Sequence, residues 1–484
     1  MGTNELPAAL LRSDFTHLIG GEAVRGSDAF EVINPATGAA FALCPSASRA
    51  ELDAAVEAAR RAAPGWSARS YEERRALIGE LSATLAAHKD ELAELLTREQ
   101  GKPIGQARDE IVRAGTQAEG MAQIPINDEV LAEDAQRHIV LRYAPLGVVG
   151  IITPWNAPIS LATGPLAAAL YTGNTVVLKP SPYAPLATLK YGELLGKIFP
   201  AGVVNVLGGG DELGAWMSEH PRIDKISFTG SVATGKQVMA SAAGTLKRIT
   251  LELGGNDAAI VLDDADPKAI AAKLFFAATV NSGQVCMAVK RIYAHESIYE
   301  ALCTALADEA RRAIVGDGLD PATQLGPIQN KRQYQRVRGL IDDTRRRGAR
   351  ILAGGHALKG AGYFIAPTIV CDIEEDARLV REEQFGPVVP VLKYREVDDA
   401  IRRANDTRYG LSGSVWGSDL ARASRVAAQL QVGTAWVNQH RSLAPRVPFG
   451  GAKESGIGRH YGELGLKGNM EPRVLSILKF GIRG

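Results

Sequence analysis

Residues 148–181 read VVGIITPWNAPISLATGPLAAALYTGNTVVLKPS. A β-branched run (Val148 to Ile152), an alanine-rich stretch (Ser160 to Tyr171) and a second β-branched run (Thr175 to Leu178) follow one another, separated by proline, asparagine and glycine. Strands that are apolar on both faces belong to parallel sheets covered by helices, and the stretch between them has the composition of a crossover helix. No charged residue occurs from Tyr143 to Leu178, which imitates a membrane span, but Pro145, Pro154, Pro158, Pro165, Asn156 and Asn174 interrupt it. A spanning helix needs about 20 continuous, mostly apolar residues. Strand, helix, strand is the better reading, and no membrane segment is expected.

The alternation continues outward. A helix is expected from about Ala184 to Ile198, and strands at Val203 to Leu207 and Lys225 to Phe228, with a short helix between them. Asn256 to Leu262 opens a second series: helix Pro267 to Val280, strand Arg291 to His295, helix Ser297 to Ile314. Repeated βαβ units predict an α/β fold with parallel sheets and a boundary near Gly254–Gly255. Upstream, Leu77, Ile78, Leu81, Leu85, Leu92, Leu95 and Leu96 predict one helical stretch from Tyr71 to Glu99, ended by Gly101 and Pro103. Arg137 to Tyr143 and Arg473 to Phe480 read as amphipathic strands far apart in sequence. They are expected to pair as a small separate sheet whose edge suits subunit association.

At 484 residues, the chain has room for about three such units. Hydrophobic residues make up 46% and charged residues 23%, which excludes a disordered chain. With 55 Lys and Arg against 54 Asp and Glu, no basic field for nucleic acid exists, and Arg345 to Arg347 reads as a solvated helix face. The four cysteines form no CxxC pair, which suits a reducing compartment, and a cytoplasmic location is expected. The opening MGTNELPAALL lacks the pattern of a secretory signal, and Leu6 stands where a myristoylation motif needs Ser or Thr. No HExxH occurs and the eight histidines show no ligand spacing, so no metal is expected.

Several residues carry possible chemistry. Gly230-Ser231-Val232-Ala233-Thr234-Gly235-Lys236 follows the strand KISFT and opens a helix, so its backbone N–H groups suit a pyrophosphate. It nearly matches a P-loop, but Gln237 replaces the metal-binding hydroxyl, and a structural turn explains it equally well. Gly208-Gly209-Gly210 fails as GxGxxG, because Leu213 takes the last glycine position. Cys286 follows a polar, glycine-containing loop, Asn281 to Val285; a lone cysteine is ordinarily inert, and a reactive one needs surroundings that lower its pKa. Glu252 lies between leucines before paired glycines, either as an edge-strand carboxylate or as a partly buried base with a raised pKa. Thr153, Pro154, Trp155 and Asn156 end the first strand, where open α/β sheets bind ligands, and the Asn156 amide could face a developing oxyanion. Lys179 ends the next strand on the same rim.

In this order the chain resembles the aldehyde dehydrogenase superfamily, from about residue 15 to residue 480. The matching segments are PWN at 154–156, KPS at 179–181, FTGS at 228–231, LELGGN at 251–256, GQVC at 283–286, EEQFGPV at 382–388 and PFGGAKESGIGR at 448–459. The resemblance implies a Rossmann-like cofactor domain (1–122 and 146–254), an α/β catalytic domain (255–455) and a β oligomerisation element (123–145 and 470–484) of a homodimer or homotetramer. It implies Cys286 as nucleophile, Asn156 with the Cys286 backbone N–H as oxyanion hole, and Glu252 as base for hydrolysis. It places NAD or NADP against Thr153, Pro154, Trp155, Lys179, Ser181, Pro182, Gly230, Ser231, Glu383 and Phe385. The implied reaction oxidises an aldehyde to the acid, through a thiohemiacetal and a thioester on Cys286, with hydride passing to NAD(P)⁺.

Three departures shape the expectations. Pro182 stands where a glutamate often holds the adenosine ribose, which predicts that NADP⁺ is accepted. His460 stands where a second glutamate often relays protons; filling space is the favoured role. Ala157 and Gly164 replace bulky residues of the substrate tunnel, which predicts a wide tunnel for bulky or aromatic aldehydes, with Phe449 as one wall. Arg441 and Arg446 at the mouth suggest instead an acidic semialdehyde. A CoA-acylating relative is disfavoured by Glu252. A binding protein that kept the fold without the chemistry is the alternative from another class.

Overall fold

The computed structural model describes residues 14–479. The N-terminal segment read above (1–13), Phe480 and the last residues lie outside the described residues. The opening stretch forms strand Val148–Ile152, helix Pro158–Tyr171 and strand Thr175–Lys179, with the two strands parallel. Pro158 starts the helix, where its fixed φ and missing N–H cost nothing. Among the described residues, no helix is long and apolar enough to cross a membrane.

These strands belong to an eight-stranded sheet. Its parallel centre runs Val204–Val206, Thr175–Lys179, Val148–Ile152, Lys225–Thr229, Arg248–Glu252. The chain builds outward from Val148–Ile152 in one direction, then returns to add Lys225–Thr229 on its other side. That reversal leaves a crevice outside the carboxyl ends of the two strands, where open α/β sheets receive ligands. A seven-stranded sheet follows, centred on Asp257–Val261, Val289–His295, Val388–Tyr394 and Ser412–Trp416, all parallel. The chain crosses between the sheets within residues 253–256, and Gly456–Ile457 returns to pair with Leu251 and Glu252. The fold is α/β.

Met470–Leu478 pairs along its whole length with Arg137–Pro145, antiparallel, as the sequence predicts. A third strand, Glu129–Glu133, joins them and was not expected. Val130, Leu131, Val474, Leu475, Ile477 and Leu478 are exposed on this sheet.

One expectation is corrected. The stretch from Tyr71 to Glu99 is two helices, Tyr71–Ala87 and Lys89–Gln100, meeting at His88 (φ −98°, ψ 12°). The apolar spacing runs through the break because Leu81, Leu85, Leu92 and Leu96 enter one core. The bend brings the buried Glu99 carboxylate onto Leu186 N–H (2.6 Å) and Ala187 N–H (2.9 Å), where it caps helix Leu186–Ile198. Residues 17–46 form four strands, of which His17–Ile19 and Glu22–Val24 extend the first sheet.

Candidate active site

Cys286 lies beyond helix Pro267–Thr279, after a turn with left-handed backbone at three successive residues: Asn281 (φ 51°), Ser282 (φ 56°) and Gly283 (φ 74°). The first two carry side chains, a conformation that costs roughly 1–2 kcal/mol per residue. Hydrogen bonds on every side offset that cost. Asn281 N–H donates to Gln106 Oε1 (3.0 Å), Asn281 Nδ2 to Asn156 O (2.9 Å) and Ser282 Oγ to Gly326 O (2.7 Å). At Gly283 a Cβ would lie 2.3 Å from Gly386 O, and at Gly255 one would lie 2.6 Å from Cys286 O, so neither position has room for a side chain. Beneath the loop, the buried Lys290 ammonium donates to Val285 O (2.7 Å), Cys286 O (2.9 Å) and Ala288 O (3.3 Å), using all three of its protons.

The Cys286 side chain is partly exposed, and the other three cysteines are buried free thiols. Burial pushes the Cys286 thiol up to about 12; Lys290 opposes the shift, and Glu252, Glu383 and Asp257 add to it. In this state the group is a thiol at neutral pH.

Asn156 is buried four residues past the end of strand Val148–Ile152. Its Nδ2 donates to Gln284 O (2.9 Å), two residues before the cysteine, and the amide's second proton has no partner among the described residues. Lys102 Nζ binds Asn156 O (2.9 Å) and forms a buried ion pair with Glu110, whose other oxygen accepts from Ile159 N–H (3.0 Å) and Ser160 N–H (3.2 Å). Lys102, Glu110, Asn281 and Lys290 thus fix the thiol and the amide relative to each other. The sequence reading named Asn281 only as the start of the loop and missed the other three, because each acts through contacts that no local pattern announces.

Glu252 ends its strand fully buried, where partial burial was expected. Burial pushes its carboxyl well above the usual range, tempered by Arg459, and its Oε1 has no hydrogen-bond partner. Its backbone O accepts from Gly230 N–H (3.0 Å), which ties the carboxylate's strand to the proposed pyrophosphate loop.

Of the residues expected to hold a dinucleotide, Thr153, Pro154 and Trp155 follow strand Val148–Ile152, Lys179, Ser181 and Pro182 end or follow strand Thr175–Lys179, and Gly230 and Ser231 follow strand Lys225–Thr229, at the carboxyl ends of parallel strands. Ser231 caps helix Val232–Ala243 through Thr234 N–H. Lys179 is buried, yet its Nζ binds only Pro180 O (3.0 Å), which leaves two donors unused, and burial lowers its pKa to about 8. Glu383 Oε1 accepts from Gly255 N–H (3.0 Å), and a Cβ on Gly254 would lie 2.3 Å from Glu383 Oε2. The Trp155 and Phe385 rings meet edge to face at 5.3 Å. A helix N-terminus, a half-satisfied buried cation, a carboxylate in a glycine cradle and a ring pair together fit a dinucleotide. Thr153 and Ser181 are buried beside them, and Pro182 is partly exposed.

The substrate side differs from expectation. Tyr461 crosses to the space beside Gly164, and a Cβ on Gly164 would lie 3.1 Å from its hydroxyl. The volume missing at Gly164 is therefore filled from the opposite wall, which removes this glycine as support for a wide tunnel. Burial raises the Tyr461 phenol to about 12, and Glu252 and Cys286 add to the shift. Phe449 is buried in one apolar cluster with Tyr461 and Trp436, against which Cys286, Met287 and Leu443 pack. Ala157 is partly exposed just after Asn156. His460 is partly exposed, exchanges backbone hydrogen bonds with Phe449 (2.8 Å each) and bonds Ser227 Oγ through Nε2 (3.2 Å). Desolvation of the ring lowers its pKa to about 3, with Lys225 adding to the shift, so the imidazole is neutral at neutral pH.

The fold, with a thiol, an amide donor and an unpaired carboxyl beside groups that fit a dinucleotide, places the chain among the oxidoreductases. The structure superposes on an NAD⁺ complex of aldehyde dehydrogenase from Bacillus cereus with a TM-score of 0.92, 35% identity, and coverage of 98% of this chain and 99% of that one. It superposes on an NADP-dependent enzyme of Escherichia coli with a TM-score of 0.94, 34% identity, and coverage of 98% and 100%. A mitochondrial aldehyde dehydrogenase of Leishmania tarentolae is 39% identical over 453 residues, 92% of this chain and 91% of the relative. The sequence pattern of the aldehyde dehydrogenase family matches residues 23–475. The chain belongs to the aldehyde dehydrogenase family.

Proposed function

We propose that this protein oxidises an aldehyde to the free carboxylic acid, with Cys286, Asn156 and Glu252 as its catalytic residues. The observation that carries the reading is the Glu252 carboxyl, buried with Oε1 unpartnered beside a thiol whose loop is fixed on every side. Cys286, once deprotonated, adds to the aldehyde carbon. The alkoxide that forms takes a hydrogen bond from the free Asn156 proton and from the Cys286 backbone N–H. When bound, NAD(P)⁺ supplies the hydride acceptor, held by Lys179 and Ser181 at the adenosine end, Gly230 and Ser231 at the phosphates, and Glu383, Trp155 and Phe385 at the nicotinamide end. Glu252 then takes a proton from water, which attacks the thioester and releases the acid and the thiol. A hydrolytic base would waste a thioester meant for CoA, so the free acid is the product.

The test is NAD(P)H formation by purified protein with aldehyde and no CoA. Asn156→Ala is expected to lose about 100- to 1,000-fold in kcat, because one oxyanion donor is removed. An unchanged kcat would assign the oxyanion to other donors.

Pro182 supports acceptance of NADP⁺, because it puts no carboxylate against a 2′-phosphate. Pro182→Glu is expected to shift the ratio of kcat/KM for NADP⁺ over NAD⁺ towards NAD⁺ by about tenfold or more, since like charges brought together cost several kcal/mol. A ratio that does not move would locate cofactor choice elsewhere. The proposed division is a cofactor domain around the eight-stranded sheet and a catalytic domain around the seven-stranded one. The three-stranded sheet, with two free edges and exposed Val474 and Leu478, is the proposed contact between subunits of a homodimer or homotetramer. Four free thiols suit a reducing compartment such as the cytoplasm.

A further inference from the structure

Arg441 and Arg113 stand out as cations without counter-ions. Arg441 follows strand Thr434–Val437 in left-handed backbone (φ 64°). Its Nε is shut off from solvent with no hydrogen-bond partner, and among the described residues its guanidinium makes no ion pair. Its neighbour is the Phe276 ring, 5.9 Å from the guanidinium carbon. Arg113 lies on helix Ile104–Ala122, one turn beyond Glu110, and likewise has no acidic partner among the described residues. The loop after Arg441 joins the two regions. Leu443 packs against the cluster that also holds Cys286 and Met287, and Pro445 fits so closely over Gly120 that a Cβ there would lie 2.6 Å away.

A half-enclosed guanidinium is ordinarily matched by a carboxylate or by carbonyls, because desolvating it without a partner is unfavourable. Here the groups in electrostatic reach are a second arginine and the nucleophile itself. Burial lowers the Arg441 pKa to about 10, Arg113 lowers it further and Cys286 acts the other way, so Arg441 remains charged at neutral pH. No carboxylate among the described residues pairs with Arg441, and the Cys286 thiol lies within electrostatic reach of the same guanidinium.

We infer that Arg441, seconded by Arg113, receives a carboxylate carried by the aldehyde substrate, so that the preferred substrates are oxo acids and the products dicarboxylates. The inference rests on the aldehyde-oxidising reading above and names its substrate class. The planar fork of arginine matches a carboxylate with two parallel hydrogen bonds, which a neutral aldehyde cannot accept.

Two measurements test it. The first compares kcat/KM for 4-oxobutanoate, 5-oxopentanoate and 4-formylbenzoate with that for butanal, pentanal and benzaldehyde. The oxo acids are expected to lead their neutral partners by about tenfold or more, and Arg441→Met to cut that lead about tenfold through KM, with Arg441→Lys restoring part of it. The second needs neither cofactor nor turnover. Alkylation of Cys286 by iodoacetate relative to iodoacetamide, read by mass spectrometry of its peptide, is expected to fall about tenfold in Arg441→Met, and by less in Arg113→Met. Equal losses for acidic and neutral aldehydes, or an alkylation ratio that ignores both substitutions, would overturn the inference. So would a higher kcat/KM for glyceraldehyde 3-phosphate than for any oxo acid. Failure of every aldehyde to turn over would remove the underlying reading instead, and the alkylation ratio alone would still decide whether the cationic pair attracts a carboxylate.

Discussion

Cys286→Ala is expected to lose aldehyde oxidation by on the order of a million-fold in kcat, the scale reached when the nucleophile of a covalent mechanism is removed. The fold should survive. The Lys290 bonds go to backbone carbonyls, and the turn at Asn281 and Ser282 is held by groups other than the thiol. Cofactor affinity, measured by fluorescence titration, should therefore change little while NAD(P)H formation vanishes. Activity retained in the variant would sink the covalent mechanism. The thiol also carries a pH signature. Because its pKa is raised to about 12, the reactive thiolate is a small fraction at neutral pH in the cofactor-free state. Its alkylation rate by iodoacetamide should climb about tenfold per pH unit from pH 7 to 10. A plateau below pH 8 would mean that another group activates the sulfur.

Glu252→Gln has the second-largest expected effect, a fall of about 100- to 10,000-fold in steady-state kcat. The amide cannot take a proton from water, so acylated enzyme should accumulate. Rapid mixing should show a burst of about one NAD(P)H per site followed by a slow phase, and intact-mass analysis should find the acyl adduct on Cys286. The wild-type profile has a defined sign. A base must be unprotonated to act, and burial has moved the Glu252 pKa up, so hydrolysis-limited turnover should fall as pH drops through that raised value. The variant should lose this dependence. A variant with no burst and no adduct would place Glu252 before acylation.

The strands around Val148–Ile152 were legible because most of their residues are apolar on both faces, as burial on both sides of a sheet favours. Cys286, Asn156, Glu252, Lys179 and Glu383 were named through motifs, and Lys179 and Glu252 end parallel strands of one sheet. Lys102, Glu110 and Lys290 were not, because their importance lies in contacts with carbonyls and charges set by the crossing of the two sheets. Gly164 was read as lost volume, but a sequence does not say which residue faces another across a pocket, and Tyr461 faces this one. The break at His88 hid for a related reason: a bent pair of helices that feeds one core keeps the spacing of a straight one.

The glycine contacts around the nucleophile have an evolutionary consequence. Backbone stands against backbone at Gly255 and Gly283, and a carboxylate stands against Gly254, so almost no single substitution can be accepted there. The segment from Arg441 to Val447 is anchored at few points and partly exposed. Substitutions along this lineage therefore meet less steric resistance in that segment than at the three glycines beneath it.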